Sequence, residues 1–189
     1  MCHFVTLVAP TANAEAVRKV MIRHDRDAQP IEGRALGKLL RPGERQYLTA
    51  RYGCDCGTVL ADCSTPDEET EAMQARKLAR KGWSSARIAR TLADRRKAKT
   101  RPTRGQDSLE SWARALRDLR VDLGLSHVGL FLHCYSGSVE EEAINAVRID
   151  ALRGFSVVEA LATMGEDRLM IFGDTPDQRT DSWKPRHAT

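Results

Sequence analysis

Residues 128–135 read VGLFLHCY, a run that is nearly all apolar yet only eight residues long. A strand buried on both faces has this length and composition. A membrane span needs roughly 20 apolar residues, and no stretch of the chain approaches that, so a globular core built around a sheet is expected, with no membrane partner. The 189 residues suit one domain or at most two small ones. A chain of this size buries roughly 70% of the surface its unfolded form exposes, enough for a core without staples. At 41% hydrophobic and 30% charged residues the composition excludes a disordered protein. The start MCHFVTLVAP lacks the basic head and long apolar stretch of a secretory signal, so a cytoplasmic location is expected. Five cysteines, an odd number, then read as thiols or metal ligands in place of a disulfide framework.

Local patterns order the elements. Residues 2–8 are apolar and β-branched enough for a strand, and Pro10 with Thr11 or Asn13 opens a helix carrying Val17, Val20, Met21 and His24 on one face. Residues 29–45 show no clear period, and residues 46–51 read as a short second strand. Thr65, Pro66 and Glu68 form a helix start, with the helix running to Lys81 before Gly82. Ser84 caps a second helix with Ile88, Ala89, Leu92 and Ala93 on its apolar face, followed by a basic linker. Asp107 with Glu110 caps a third, whose stripe of Leu109, Trp112, Ala113, Leu116, Leu119 and Leu123 ends at Gly124. Residues 143–152 lean towards a hairpin partner strand, Ser156 and Glu159 form a capping box for a helix over 157–164, and residues 168–172 make a closing strand. This order predicts an α+β fold: a split βαβ (ferredoxin-like) antiparallel sheet from residues 1–65 and 125–173, with two helices on one face. Residues 66–124 form an inserted three-helix basic lobe, and residues 174–189 a loose C-terminal tail.

Charge is distributed unevenly. Residues 76–104 hold twelve cations, Arg76, Lys77, Arg80, Lys81, Arg87, Arg90, Arg95, Arg96, Lys97, Lys99, Arg101 and Arg104, against Asp94 alone. The window is therefore +11, which leaves −7 on the rest of a chain whose net charge is +4. Such a split presents a positive field to an acidic macromolecule, nucleic acid or acidic protein. Pairing of the same cations with the acidic run Asp67, Glu68, Glu69 and Glu71 is the alternative.

Cys54, Cys56 and Cys63 fall within ten residues, with Gly53 and Gly57 to turn the loop, and thiolates at that density suit zinc. A fourth ligand has to come from elsewhere. In the expected topology the first strand begins, the second ends and the 128–135 strand begins at one edge, which brings Cys2, His3 and His127 near the loop. Cys2 and His3 point to opposite faces of a regular strand, so one of them reaches a given ion. His133 lies six residues beyond His127, roughly 20 Å along a strand, and falls outside the site. The alternative is that these cysteines are small buried apolar residues.

Three local resemblances add readings. Residues 78–92, LARKGWSSARIARTL, resemble the first two helices of helix-turn-helix domains, with glycine ending one helix, serine capping the next and aliphatics packing the pair. The resemblance implies nucleic-acid contact, but DRRKAKTRPTRG follows Leu92 where a short turn and recognition helix would stand, with Pro102 and Gly105 against a helix. Residues 131–138, FLHCYSGS, resemble the signature loop of cysteine-dependent phosphatases, which implies Cys134 as nucleophile and Gly137 in a phosphate cradle. The arginine of that family would fall at position 140, where the chain has Glu140, then Glu141 and Glu142. The same segment is similar to a stretch of TatD-type metal-dependent deoxyribonucleases, barrels of about 250 residues, with a His-x-His motif that this chain lacks. The segment is therefore expected to be a buried strand ending in a Ser-Gly turn. Removal of Met1 would pair the Cys2 thiol with its own α-amine, as in N-terminal-nucleophile hydrolases.

Together these features predict a non-enzymatic binding protein whose basic lobe engages an acidic macromolecule and whose cysteine loop binds zinc. A cysteine-dependent hydrolase using Cys2 or Cys134, and an immunity-type protein neutralising an acidic toxin, are the alternatives.

Overall fold

A computed structural model describes residues 2–50, 53–63, 68–99, 107–150 and 156–173, without the side chains of 62–63, 68–71, 73–74 and 95–99. The Thr65–Pro66 helix start, the acidic run near residue 67, Arg101, Arg104 and the tail 174–189 lie outside the described residues. The chain is α+β, with a six-stranded mixed sheet in the order β2-β3-β1-β4-β6-β5. The strands are β1 (Cys2–Ala9), β2 (Gln29–Ile31), β3 (Arg45–Leu48), β4 (His127–Tyr135), β5 (Val147–Ile149) and β6 (Arg168–Gly173). The helices are α1 (Ala14–Arg23), α2 (Arg34–Gly37), α3 (Val59–Cys63), α4 (Glu68–Arg80), α5 (Ser85–Lys99), α6 (Leu109–Leu123) and α7 (Val157–Ala162).

Strand order does not confirm the split βαβ arrangement. Each crossover in that arrangement joins two parallel strands that flank a third, whereas β1 and β3, and likewise β4 and β6, are direct antiparallel neighbours. β5 is parallel to β6 at the sheet edge and is not a hairpin partner of β4. β2, unseen in the sequence, is a three-residue strand at the other edge, where Pro30 is tolerated.

Alternation along the strands separates two cores. Val5, Leu7 and Ala9 of β1 with Val128, Leu130 and Leu132 of β4 pack against Val17, Val20 and Met21 of α1, Trp112, Leu116 and Leu119 of α6, and Ala160 and Leu161 of α7. The predicted α6 stripe thus belongs to the main core of the sheet. Val8, Phe131, Leu169 and Ile171 form the second cluster with Leu36 of α2, so both faces of β4 are covered. Gly129 leaves room for its β6 partner Ile171, since a Cβ there would lie 2.7 Å from Ile171 Cδ1.

The caps of α6 and α7 follow their sequence logic, with one shift. Ser156 and Glu159 cap α7 reciprocally as expected. α6 is capped by Ser108 and Ser111 and ends at Gly124 in the left-handed region. Asp107, expected as the cap, instead pairs with Arg26 and accepts the Val59 N–H at 2.6 Å. α5 runs unbroken to Lys99, so the segment after Leu92, expected as a linker, is helical through residue 99. Among the described residues no helix is long and apolar enough to cross a membrane.

Candidate metal centre

β3 ends at Leu48, opposite Thr6, and so leaves the first residues of β1 without a strand partner on that side. Their backbone groups still need hydrogen bonds, and the segment following β3 supplies them. Thr49 donates through N and Oγ1 to Val5 O at 3.1 and 2.8 Å. Asp55 N donates to His3 O at 2.8 Å, and Asp55 Oδ2 accepts from Val5 N at 2.8 Å. The last bond in the series is made by sulfur: His3 N donates to Cys56 Sγ at 3.2 Å. Docking of the loop is therefore a continuation of sheet pairing by side chains, and it carries Cys54 and Cys56 to the start of β1.

There the Sγ atoms of Cys2, Cys54 and Cys56 lie within 4.8 Å of one another. A tetrahedral zinc with Zn–S of about 2.3 Å holds sulfurs about 3.8 Å apart, so these three are close enough to hold an ion. Burial and then the neighbouring Cys54 push the Cys2 thiol up. Cys56 is exposed as a residue, but its sulfur lies against His3, where burial outweighs the His3 N–H and pushes the thiol up to about 12. A divalent cation held here would displace the protons of Cys2 and Cys56 as it bound.

The remaining predicted ligands are placed differently. The backbone of Cys63 lies in α3, and its side chain is outside the described residues. His127 is not brought to the loop. Antiparallel pairing sets Cys2 opposite Tyr135 and Val8 opposite Gly129, so the start of β4 lies at the far end of β1. His127 Nε2 instead donates to Glu44 Oε1 at 2.7 Å, beside Arg148, and Glu44, pushed up by burial, is brought down to about 2 by Arg148, the Arg41 N–H and His127.

The same pairing assembles a second group that sequence reasoning missed. His3 is the Cα partner of Cys134, so both side chains leave the sheet on one face, and Glu166 reaches them from the turn before β6. One ligand atom from each of His3, Cys134 and Glu166 lies within 4.8 Å of the others, and His3 Nε2 is 2.9 Å from Glu166 Oε1. The available signal was the pairing of Cys2-His3 with His133-Cys134, legible only once β1 and β4 are known to be antiparallel neighbours.

Cys134 is buried, and the turn after it holds a carboxylate of its own. Glu142 Oε2 accepts from Ser136 N at 2.7 Å and Gly137 N at 3.0 Å, and Glu142 Oε1 accepts from Lys81 Nζ at 2.6 Å. Burial opposes the charge, but Lys81 and Ser136 hold the Glu142 carboxyl down at about 2. The amides expected to cradle a phosphate are thus taken by the chain itself. Buried His133 lies beside them, its Nδ1 donating to Asp167 Oδ1 at 2.5 Å.

In the basic lobe α4 and α5 form a hairpin. Lys77 pairs with Asp167 and Lys81 with Glu142, each at 2.6 Å, so two of its cations tether it to the sheet. Arg80, Arg87 and Arg90 are exposed, and the Arg87 guanidinium lies 3.7 Å over the Trp83 ring. Arg95, Arg96, Lys97 and Lys99 lie on α5 with side chains outside the described residues, and because α5 continues past Leu92 no short turn to a recognition helix follows there. No protein-family model, no curated protein and no solved structure matches the chain.

Proposed function

We propose that this protein is a zinc-binding protein in which Cys2, Cys54 and Cys56 hold the ion and so lock the cysteine loop onto the unpaired edge of β1. The observation that carries the reading is the convergence of three sulfurs from two segments about fifty residues apart, to within 4.8 Å. Three thiolates against one divalent ion form a soft, sulfur-rich set of the kind that selects zinc over magnesium or calcium. The test is metal analysis of protein purified without chelator, beside a Cys54→Ser variant. Zinc near one mole per mole or above, reduced by one equivalent in the variant, is expected; less than about 0.1 mole in the wild type overturns the reading.

A second reading concerns the α4–α5 hairpin, which presents its positive surface to an acidic macromolecule. Exposed Arg80, Arg87 and Arg90 on a body that is otherwise acidic support it. If the partner is nucleic acid, affinity falls steeply with salt and the slope shrinks by about one per arginine replaced by alanine. A tight stoichiometric complex with an acidic protein, indifferent to added DNA, is the outcome for a protein partner. Absence of binding to either sinks this second reading and leaves the zinc reading untouched.

A further inference from the structure

We propose that His3, Cys134 and Glu166 form a second metal site, behind the three-cysteine group and distinct from it in donor chemistry. His3 and Cys134 are 6% and 5% exposed, and the Glu166 side chain is 18% exposed, so the site is internal with its carboxylate at the entrance. Its imidazole, thiolate and carboxylate are the mixed N, S and O donors that zinc accepts. One thiolate and one carboxylate balance the charge of a divalent ion, which removes the cost of a buried net charge. Three protein ligands leave a fourth position for water or a small ligand, the composition of an open zinc site.

His3 connects the two groups. Nε2 faces Glu166 Oε1 at 2.9 Å and Nδ1 faces Cys56 Sγ at 3.9 Å. With a metal on Nε2 the ring hydrogen sits on Nδ1, where it points at the thiolate of Cys56, so one ring serves as ligand to one ion and hydrogen-bond donor to a ligand of the other. Coordination replaces the Cys134 S–H bond by a metal–sulfur bond, and the proton leaves to solvent.

The experiment titrates metal-free, reduced protein with Co(II), reading stoichiometry and the thiolate charge-transfer band, with circular dichroism to check folding. Wild type is expected to take two equivalents. Cys54→Ser should keep one, bound by a single thiolate, whereas Glu166→Gln and Cys134→Ala should each keep one bound by three, with charge-transfer intensity about threefold greater. Glu166→Gln preserves shape at a partly exposed position, so the test survives a folding defect in Cys134→Ala. One equivalent in the wild type, lost in Cys54→Ser and kept in Glu166→Gln, overturns the second site and leaves the proposed function standing. One equivalent lost in Glu166→Gln and kept in Cys54→Ser does the reverse, and no uptake overturns both.

Discussion

Asp55, between Cys54 and Cys56, bonds to β1 through its backbone and through its carboxylate, and is 2% exposed. Burial pushes its carboxyl up to about 6, against the pull of the Val5 N–H and Arg26. A carboxyl raised in this way binds more protons folded than unfolded. Its contribution to stability is therefore full below the ordinary value of 3.8 and is lost as pH rises through about 6. Asp55→Asn is expected to flatten the fall in stability between about pH 4 and 6 relative to wild type, as read from urea midpoints across that range; parallel pH curves would refute it. Arg26 is the counter-charge. It pairs with Asp55 at 3.2 Å and with Asp107, and it lies 3.7 Å over the Trp112 ring. Arg26→Leu leaves two buried carboxylates without their cation, and a loss of about 3–5 kcal/mol by urea unfolding is expected. A change under about 1 kcal/mol would show that the pair is solvated.

At the scale of elements, the α4–α5 hairpin touches the sheet through ion pairs more than through a core. Leu78 and Ile88 are its buried hydrophobic residues among those described, while Lys77 and Lys81 reach Asp167 and Glu142. Glu142 is held at about 2, below its ordinary 4.5, so its contribution is full above 4.5 and is lost as pH falls through about 2. Replacing both Lys77 and Lys81 by methionine should speed amide exchange along α4 and α5 severalfold and leave β1 and β4 protected. Unchanged exchange in the hairpin would show that apolar contacts alone hold it. Element legibility tracks the strength of the local signal. The Ser156–Glu159 box and the α6 stripe are complete in the sequence, and both elements stand where expected. The end of α5 is hidden because residues 94–99 have no apolar period; Ala, Arg and Lys carry that helix by propensity. β2 is hidden because three residues with a proline make no pattern.

For the whole molecule, metal binding should appear as global stability, because the cysteine loop closes onto β1 at the centre of the sheet. Zinc at about 100 times its Kd would add about 2.7 kcal/mol, which for a chain of this length raises Tm by about 5–10 °C. Scanning calorimetry of metal-free protein with and without zinc checks this, and an unmoved Tm would count against a folding-linked ion.

Neighbouring residues alone dictate that the chain is α+β, that β4 is buried on both faces, that α1, α6 and α7 are helices with the Ser156 cap of α7 and the Gly124 stop of α6, and that thiols crowd residues 54–63. Each of these is written locally, through period, caps and composition. Which thiols meet is settled by the packed fold. Antiparallel pairing of β1 with β4 puts His127 at the far end of the sheet and sets His3 beside Cys134. Pairing direction leaves no trace in local pattern, since alternation along a strand is the same whichever way its neighbour runs.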